Sequence, residues 1–585
     1  MRKLFFILMA VAAIALTGCK NKQSQDCVVY GKIYTARIDS SKSQTDDSRY
    51  VMAEAMVIKD GMYVFVGSKE DAQAYITSDL QVIDWTGKGL IMPSCTNGHA
   101  HYLSGHAIHE IGTIIGEEDD IKTVYEILTA TVDKVRKENK PLVFAYGWNY
   151  VFLKDNLPSR QQLDSLCSDL PIFAIDEEGH KALANTLCLQ QAGIMDADGK
   201  PLKQGGDIRG GEIVMGQDGT PTGLLLEQAA TYVRSRIDFD NLYTQEVAEK
   251  CVRGVEQQLL SEGYTMYMDG WSNYFYNANT YQAAARLDKN NDLHILLGLS
   301  YEMESWADID ASVTAAVAMK KYASAHVLPH WIKLFMDGTV EGGTGYCVDT
   351  YPDGHQGIIN WTKEEITDIT RKGNSKGLSM HVHTMGDAAV RDVVDAFIAG
   401  GQKDKRNTVV HVRNVPDGYY QKMAENNIYA TSGMHWHHFI KDAPSFLHQW
   451  QLVPEGVMER QSYPMKSYFD YGINMCSHTD FPALSGSPDD PFGIMTVAIT
   501  GMWNPETEEP WWTDELLTRQ QALQALTING ARQMLVEKER GSIETGKFAD
   551  FILIDQDVLT CDTGELRNTR VMKTFFEGQE VFSRQ

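Results

Sequence analysis

Two kinds of hydrophobic periodicity divide the chain. Between residues 27 and 91 the apolar runs are short and broken by turn residues. Val28-Val29-Tyr30 leads to Ile33-Tyr34, and Ala55-Met56-Val57-Ile58 is followed by Lys59-Asp60-Gly61 and then Tyr63-Val64-Phe65-Val66. An Asp-Gly between two apolar runs predicts a hairpin, because both turn positions favour positive φ. The far end has the same character: 550–554 and 571–576 read as strands. A small β-sandwich domain is therefore expected, built from both chain ends (27–92 and 536–585).

Between these ends the period changes. Residues 121–137 and 244–262 carry the 3.6-residue period of amphipathic helices, whereas 141–146, 331–336 and 408–411 are strand-like. Strands alternating with helices indicate βα units and a parallel sheet. The expected class is α/β, with a (β/α)8 TIM-type barrel over 93–535. That span exceeds the ~250 residues of a plain barrel. A Gly-rich stretch at 205–223 interrupts the rhythm, which places an inserted subdomain at about 120–235.

The N-terminus adds a separate expectation. Arg2 and Lys3 precede an apolar run over 4–16, and Leu16-Thr17-Gly18-Cys19 follows. A basic start, a short apolar stretch and small residues read as a secretory signal over 1–18. The run is too short for a membrane-spanning helix, which needs about 20 apolar residues. Its ending resembles a bacterial lipobox, with cleavage before Cys19 and lipid on that sulfur. Residues 19–26 then form a polar tether, and the expected location is an exported, membrane-anchored lipoprotein of a bacterium, its folded part in water.

Composition narrows the classes further. The 585 residues are 43% hydrophobic and 22% charged, enough for a large core. The formal net charge of −25 argues against nucleic acid as a partner. Of nine cysteines none forms a Cys-x-x-Cys pair, so a zinc ribbon is not expected and buried free thiols are.

The chemistry gathers at presumed strand ends. Asn97-Gly98-His99-Ala100-His101 puts two imidazoles on one strand face, because residues i and i+2 point the same way. Two histidines alone serve equally as packed or surface residues. His381-Val382-His383 ends a second run, His411 closes Thr408-Val409-Val410, and Ser477-His478-Thr479-Asp480 follows Ile473-Asn474-Met475-Cys476. In barrels the C-terminal ends of strands hold the active site. Four ends delivering His, His, His and Asp to one rim point to a metal centre.

These residues resemble the amidohydrolase superfamily, and in particular its amidohydrolase-3 branch, which includes N-substituted formamide deformylase-like proteins. The family's first strand usually reads Pro-Gly-Phe-Ile-Asp-x-His-x-His; here Ser94 and Asn97 replace its Gly and Asp. Gly147-Trp148-Asn149, Leu157-Pro158-Ser159 through Leu163-Asp164, Gly179-His180 with Asn185, and Gly219-Thr220-Pro221-Thr222-Gly223 with Glu227 resemble branch motifs. So do Lys333-Leu334-Phe335-Met336-Asp337-Gly338, His383-Thr384-Met385-Gly386-Asp387, and Gly541 through Gly546 to Ala549-Asp550. The resemblance covers about 27–582.

Roles follow by resemblance. His99 and His101 ligate one metal, and His383 and His411 a second. Lys333, carboxylated by CO2, bridges them, or alternatively it is a lysine paired with a carboxylate such as Asp337. Asp480 binds metal and handles the proton. The resemblance implies one or two divalent metals, Zn²⁺ by the donor set. His381 shares a strand face with His383 and is the alternative ligand, but the motif favours His383, so His381 is read as packing one layer deeper in the barrel and His478 as flanking Asp480. His180 and Trp148 are candidate substrate contacts, with a surface loop and core packing as their respective alternatives; His435-Trp436-His437-His438 has the look of a second metal site, but the resemblance implies that it shapes the pocket. The implied activity is metal-dependent hydrolysis of C–N bonds, amide or formamide-like, in a small molecule. A ring deaminase and a non-catalytic ligand-binding lipoprotein are the alternatives.

Overall fold

The computed structural model describes residues 26–585 except 40, 43–48, 79, 117–119, 150–152, 154–155, 178, 442–452, 459–461 and 483–488. The expected signal segment, Cys19 and all of the tether but Asp26 lie outside these residues.

Eight parallel strands follow one another in sequence order across one sheet. They are β1 (Cys95–Ala100), β2 (Tyr264–Asp269), β3 (Leu296–Glu302), β4 (Val327–Phe335), β5 (Ser379–Thr384), β6 (Thr408–His411), β7 (Tyr429–Ser432) and β8 (Met475–Ser477). Helices such as Asn279–Lys289, Ile309–Met319, Lys363–Ser375 and Asp387–Gly400 make the crossovers. β1, β2 and β5 are buried along their whole length. A parallel strand covered on both faces reads as a continuous apolar run rather than an alternation. Toward the C-terminal ends stand His99, Asp269, Glu302, Lys333, His383 and His411, all buried.

β1 and β8 meet at a seam. Asn97 Nδ2 donates to Thr479 Oγ1 at 2.8 Å, the Asp480 amide donates to the His99 carbonyl at 3.1 Å, and the His101 amide donates to the Phe481 carbonyl at 2.8 Å. Gln533 spans it from the following helix, donating to the Gly98 carbonyl and accepting from Thr431 Oγ1. Gly98 is required by this approach: a Cβ there would sit 2.6 Å from Cys476 Sγ and 3.0 Å from the Ser477 carbonyl.

The connection from β1 to β2 carries a six-stranded sheet. Its order is Gly211–Met215, Pro221–Glu227, Lys181–Ala184, Ile172–Asp176, Val143–Trp148, Thr113–Ile114. The chain returns along the helix Gln245–Glu262, which buries Ala248, Val252, Val255 and Leu259 on one stripe and stops at Gly263 (φ 87°). The insertion is clamped to the C-terminal rim of the barrel. Arg209 makes two bonds to Glu365 at 2.8 and 2.7 Å, and Ser305, just beyond β3, donates to the Arg209 carbonyl.

A third sheet draws on both chain ends. Gln579–Ser583, Val571–Phe576, Phe551–Ile554, Leu90–Pro93, Cys27–Ile38, Tyr50–Lys59 and Met62–Gly67 lie side by side, with Gln81–Asp84 pairing on Cys27–Ile38. Asp60 and Gly61 both have positive φ (49° and 77°), as a two-residue hairpin turn requires. Alternate residues serve two faces: Val29 and Ile33 pack with Trp85, Phe551 and Phe575, whereas Val28 and Tyr30 pack with Val57 and Leu80. The eight described cysteines are unpaired thiols, seven of them buried.

One part-buried ion network ties this sheet to the barrel. His326, the residue before β4, lies 2.7 Å from Asp288 and 3.0 Å from Glu577, which in turn pairs with Arg540. Burial disfavours the imidazolium, but the two carboxylates override it and lift His326 to about 9. A folded pKa above the unfolded ~6.5 means the contribution is complete below pH ~6.5 and lost as pH rises through ~9. We expect His326→Gln to lower the denaturation free energy by about 2–3 kcal/mol near pH 6, with the gap to wild type closing toward pH 9. A gap that stays constant across that range in chemical denaturation would assign the loss to packing instead.

Candidate functional site at the barrel rim

The seam delivers Asp480 to the two histidines of β1. Asp480 Oδ1 lies 3.3 Å from His99 Nε2 and 3.4 Å from His101 Nε2. Among the described residues these three form a group whose ligand atoms fall within 4.8 Å of one another. Asp480 Oδ2 is 3.9 Å from His411 Nδ1. The His411 ring lies 5.0 Å from that of His99 and 4.7 Å from that of His383. Lys333 is fully buried with Nζ 4.4 Å over the Phe335 ring, and the strand register places it between Glu302 on β3 and His381 on β5.

Three of these imidazoles are held by a further ring contact, one way a ligand ring is fixed. His99 Nδ1 pairs with His381 Nε2 at 2.9 Å, His411 Nδ1 with His478 Nε2 at 3.2 Å, and His383 Nε2 donates to the Gly338 carbonyl at 3.1 Å. His381 therefore touches His99 directly, one strand layer below His383. Trp436 stacks on His411 at 5.2 Å.

Asp337 ties the ends of β4 and β5 together. Its carboxylate accepts from the amides of Met385 (3.0 Å), Gly386 (2.8 Å) and Tyr346 (2.9 Å). Lys333 is thus not its partner. Burial lifts Asp337 to about 7, against the pull of those amides.

Electrostatics favours neutral nitrogen here. Burial above all holds His99, His383 and His411 well below the ordinary imidazole range; Lys333 comes next for His99 and His383, and the neighbouring rings of His383 and His478 for His411. Burial also drives Lys333 down to about 8, with Glu302 and Asp480 pulling it back up. Backbone strain marks the same spot. His411 (φ 75°), Val412 (φ 43°) and Asp480 (φ 54°) are left-handed without being glycine. Such conformations cost on the order of 1–3 kcal/mol each and persist where the surroundings over-determine them.

Of the other sequence candidates, Trp148 is enclosed in the insertion's own core with Val124, Leu128 and Ile172, its indole N–H donating to the Ala174 carbonyl. Core packing, not substrate contact, is its observed role. His180 is part-exposed and 2.7 Å from Glu227. The cluster 435–438 does not converge: His437 bonds the Ser462 carbonyl, and His438 pairs with Glu508 and stacks on Trp503. Two rim residues escaped the sequence reading. Asp269 ends β2 and accepts from Tyr267 and Ser272, burial raising its pKa above the ordinary value; Glu302 ends β3 beside Lys333, burial raising it well above its usual range. Both are acids closing a buried apolar strand, the signal that revealed His411.

Comparison with known proteins agrees with this architecture. The chain is 25% identical over 558 residues to an N-substituted formamide deformylase of Arthrobacter pascens, covering 92% of this chain and 97% of that one. A solved uncharacterised metal-dependent hydrolase of Pyrococcus horikoshii superposes with a TM-score of 0.70 at 19% identity, covering 92% of this chain and 99% of the other. An adenosine deaminase of Xanthomonas campestris with bound zinc gives 0.51 at 12% identity, covering 95% and 92%. The model of the amidohydrolase family matches residues 81–582, a span that takes in the inserted sheet and all eight barrel strands, and the chain belongs to that family.

Proposed function

We propose that the rim cluster is a divalent-metal centre that hydrolyses C–N bonds of a small amide or formamide. The observation that carries this reading is the convergence of His99, His101 and Asp480. His99 Nε2 and Asp480 Oδ1 are buried, face each other at 3.3 Å and have no hydrogen-bond partner. Two buried groups with unshared electron pairs aimed together fit a cation between them. His99, His101 and Asp480 would hold one ion, and His383 and His411 a second. Neutral imidazoles and a carboxylate suit Zn²⁺. The buried amine of Lys333 has the lowered pKa that a carbamate-forming lysine needs, and such a carbamate would bridge two ions.

When bound, the metal supplies Lewis acidity, which acidifies a water and polarises the scissile carbonyl. The chain supplies the rest. Asp480 takes the proton at a carboxylate oxygen and returns it to the leaving nitrogen. His381 and His478 keep the rings of His99 and His411 in one orientation. Trp436 and Phe335 cover the cluster and limit bulk water.

The formamide deformylase among the relatives supports an amide or formamide over other C–N substrates. The zinc-bound adenosine deaminase among the structural neighbours favours ring deamination as the second reading. Release of formate or another carboxylate from a panel of N-substituted formamides and acetamides would establish the first; release of ammonia from aminopurines and aminopyrimidines would establish the second.

Two substitutions test the centre. Asp480→Asn is expected to lower turnover by about 10³-fold or more while elemental analysis still finds metal; wild-type turnover in that variant would remove Asp480 from proton transfer. A Cβ at Gly270 would lie 2.2 Å from His99 Cε1 and 2.8 Å from His101 Cε1. Gly270→Ala should therefore displace both rings and weaken metal binding by about 10–100-fold, read by competition with a chelating dye. An unchanged affinity would place the metal elsewhere.

A further inference from the structure

A buried guanidinium stands where the inserted sheet meets the barrel, and the hydrolysis proposed above does not use it. Arg234 ends the helix Gln228–Arg234, which follows directly on the strand Pro221–Glu227, and it is 3% exposed. Its Cζ lies 3.8 Å from the centre of the Tyr274 ring and 4.4 Å from that of Trp271. Stacking on aromatic faces leaves the in-plane N–H groups of a guanidinium in need of acceptors. Among the described residues, Arg234 Nε and Nη2 are buried and have no hydrogen-bond partner.

The identity of the two open nitrogens decides what fits them. Nε–H and Nη2–H share one edge of the guanidinium and point in parallel, at the spacing of the two oxygens of a single carboxylate. Leaving that edge buried and unpaired is costly. Glu304 does not fill it: Glu304 Oε1 accepts from Tyr276 at 2.6 Å, and Oε2 has no partner. Burial raises Glu302 and Glu304 above the usual carboxylate range, which lessens their repulsion of an incoming anion. Trp271 Nε1, also buried without a partner, is a third open donor in the same group.

Trp271 places this guanidinium beside the rim cluster. It follows Gly270, where an added Cβ would lie 2.2 Å from His99 Cε1 and 2.8 Å from His101 Cε1. Its ring is 5.5 Å from that of Phe335, which is 5.0 Å from that of His383. Arg234 is thus separated from the metal ligands by one layer of aromatic side chains. Its distance from the rim is held by the Arg209–Glu365 clamp and by Ser305, next to Glu304, which donates to the Arg209 carbonyl.

We propose that the Nε–Nη2 edge of Arg234 binds a carboxylate carried by the substrate, so that the rim cluster acts on amides that also bear a free acid. This names the substrate class of that site and rests on its amide-hydrolase reading. A carboxylate fits better than a phosphate, because one guanidinium with Glu302 and Glu304 nearby balances one negative charge rather than two.

The test uses the metal-loaded full chain and two matched pairs of amides, each pair differing by one carboxylate. N-formylphenylalanine is set against N-formylphenethylamine, and glutaric acid monobenzylamide against N-benzylpentanamide. In wild type the acidic member of at least one pair is expected to lead in kcat/KM by about 10²-fold, the lead lying in KM. Arg234→Met keeps an apolar stem among the rings and removes the fork; it should abolish the lead while the neutral member keeps its turnover within about threefold. Arg234→Lys keeps the charge without the fork and should retain only part of the lead, which decides the matter should the Met variant unfold. Equal kcat/KM within both pairs in wild type would overturn the proposal, as would an undiminished lead in either variant. Equal losses on both members of a pair would also overturn it and assign Arg234 to packing against Tyr274 and Trp271. Calorimetry with the same compounds separates this proposal from the amide-hydrolase reading. If no amide is turned over, tighter binding of an acidic member that Arg234→Met abolishes leaves the carboxylate site standing and removes only the hydrolysis; no difference in binding removes both. Inorganic phosphate bound more tightly than N-formylphenylalanine would overturn the choice of a carboxylate.

Discussion

A parallel sheet becomes a barrel only when its first and last strands meet, and in this chain that meeting builds the site. The hydrogen bonds of Asn97, His99 and His101 to the segment 479–481 close β1 against β8. The same bonds carry Asp480 to the two histidines. Gly98 makes the approach possible, since a side chain there would strike Cys476. Fold closure and site assembly are thus one event. A perturbation of the seam reaches the chemistry even when it lies below the rim.

The second organising force is the burial of like-charged groups together. Four imidazoles and a lysine share a volume with little solvent, and burial with mutual repulsion keeps the imidazoles neutral. The arrangement offers lone pairs rather than protons, which a metal site needs and a packed core does not. The carboxylates are divided by task. Asp337 is spent on three backbone amides and holds two strand ends together, whereas Asp480 keeps an oxygen without a hydrogen-bond partner at the cluster.

Much of this was legible in the sequence because strand ends announce themselves. His99, His101, His383, His411 and Asp480 each close or follow a short apolar run, and the structure gathers them at one rim. The Asp60-Gly61 turn and the 550–554 and 571–576 strands were equally plain. Asp269 and Glu302 were not, because Tyr264–Asp269 and Leu296–Glu302 have no second motif residue to mark them. Trp148 misled for a different reason: an aromatic beside a family motif looks like a pocket wall, and burial inside the inserted sheet is set by contacts distant in sequence. The partnership of His180 with Glu227 is likewise long-range, since it depends on antiparallel pairing across the insertion.

The end sheet has a consequence for how the chain is made. Leu90–Pro93 leads straight into β1 and pairs along one edge with Phe551–Ile554. A ribosome adding ~5–20 residues per second completes that partner on the order of half a minute to a minute and a half after Leu90–Pro93 is synthesised. Throughout that interval an apolar strand offers unpaired amides and carbonyls, a template for association with other chains. Assembly of this sheet therefore waits on the synthesis of Phe551–Ile554, and until then the Leu90–Pro93 edge has no partner on that side.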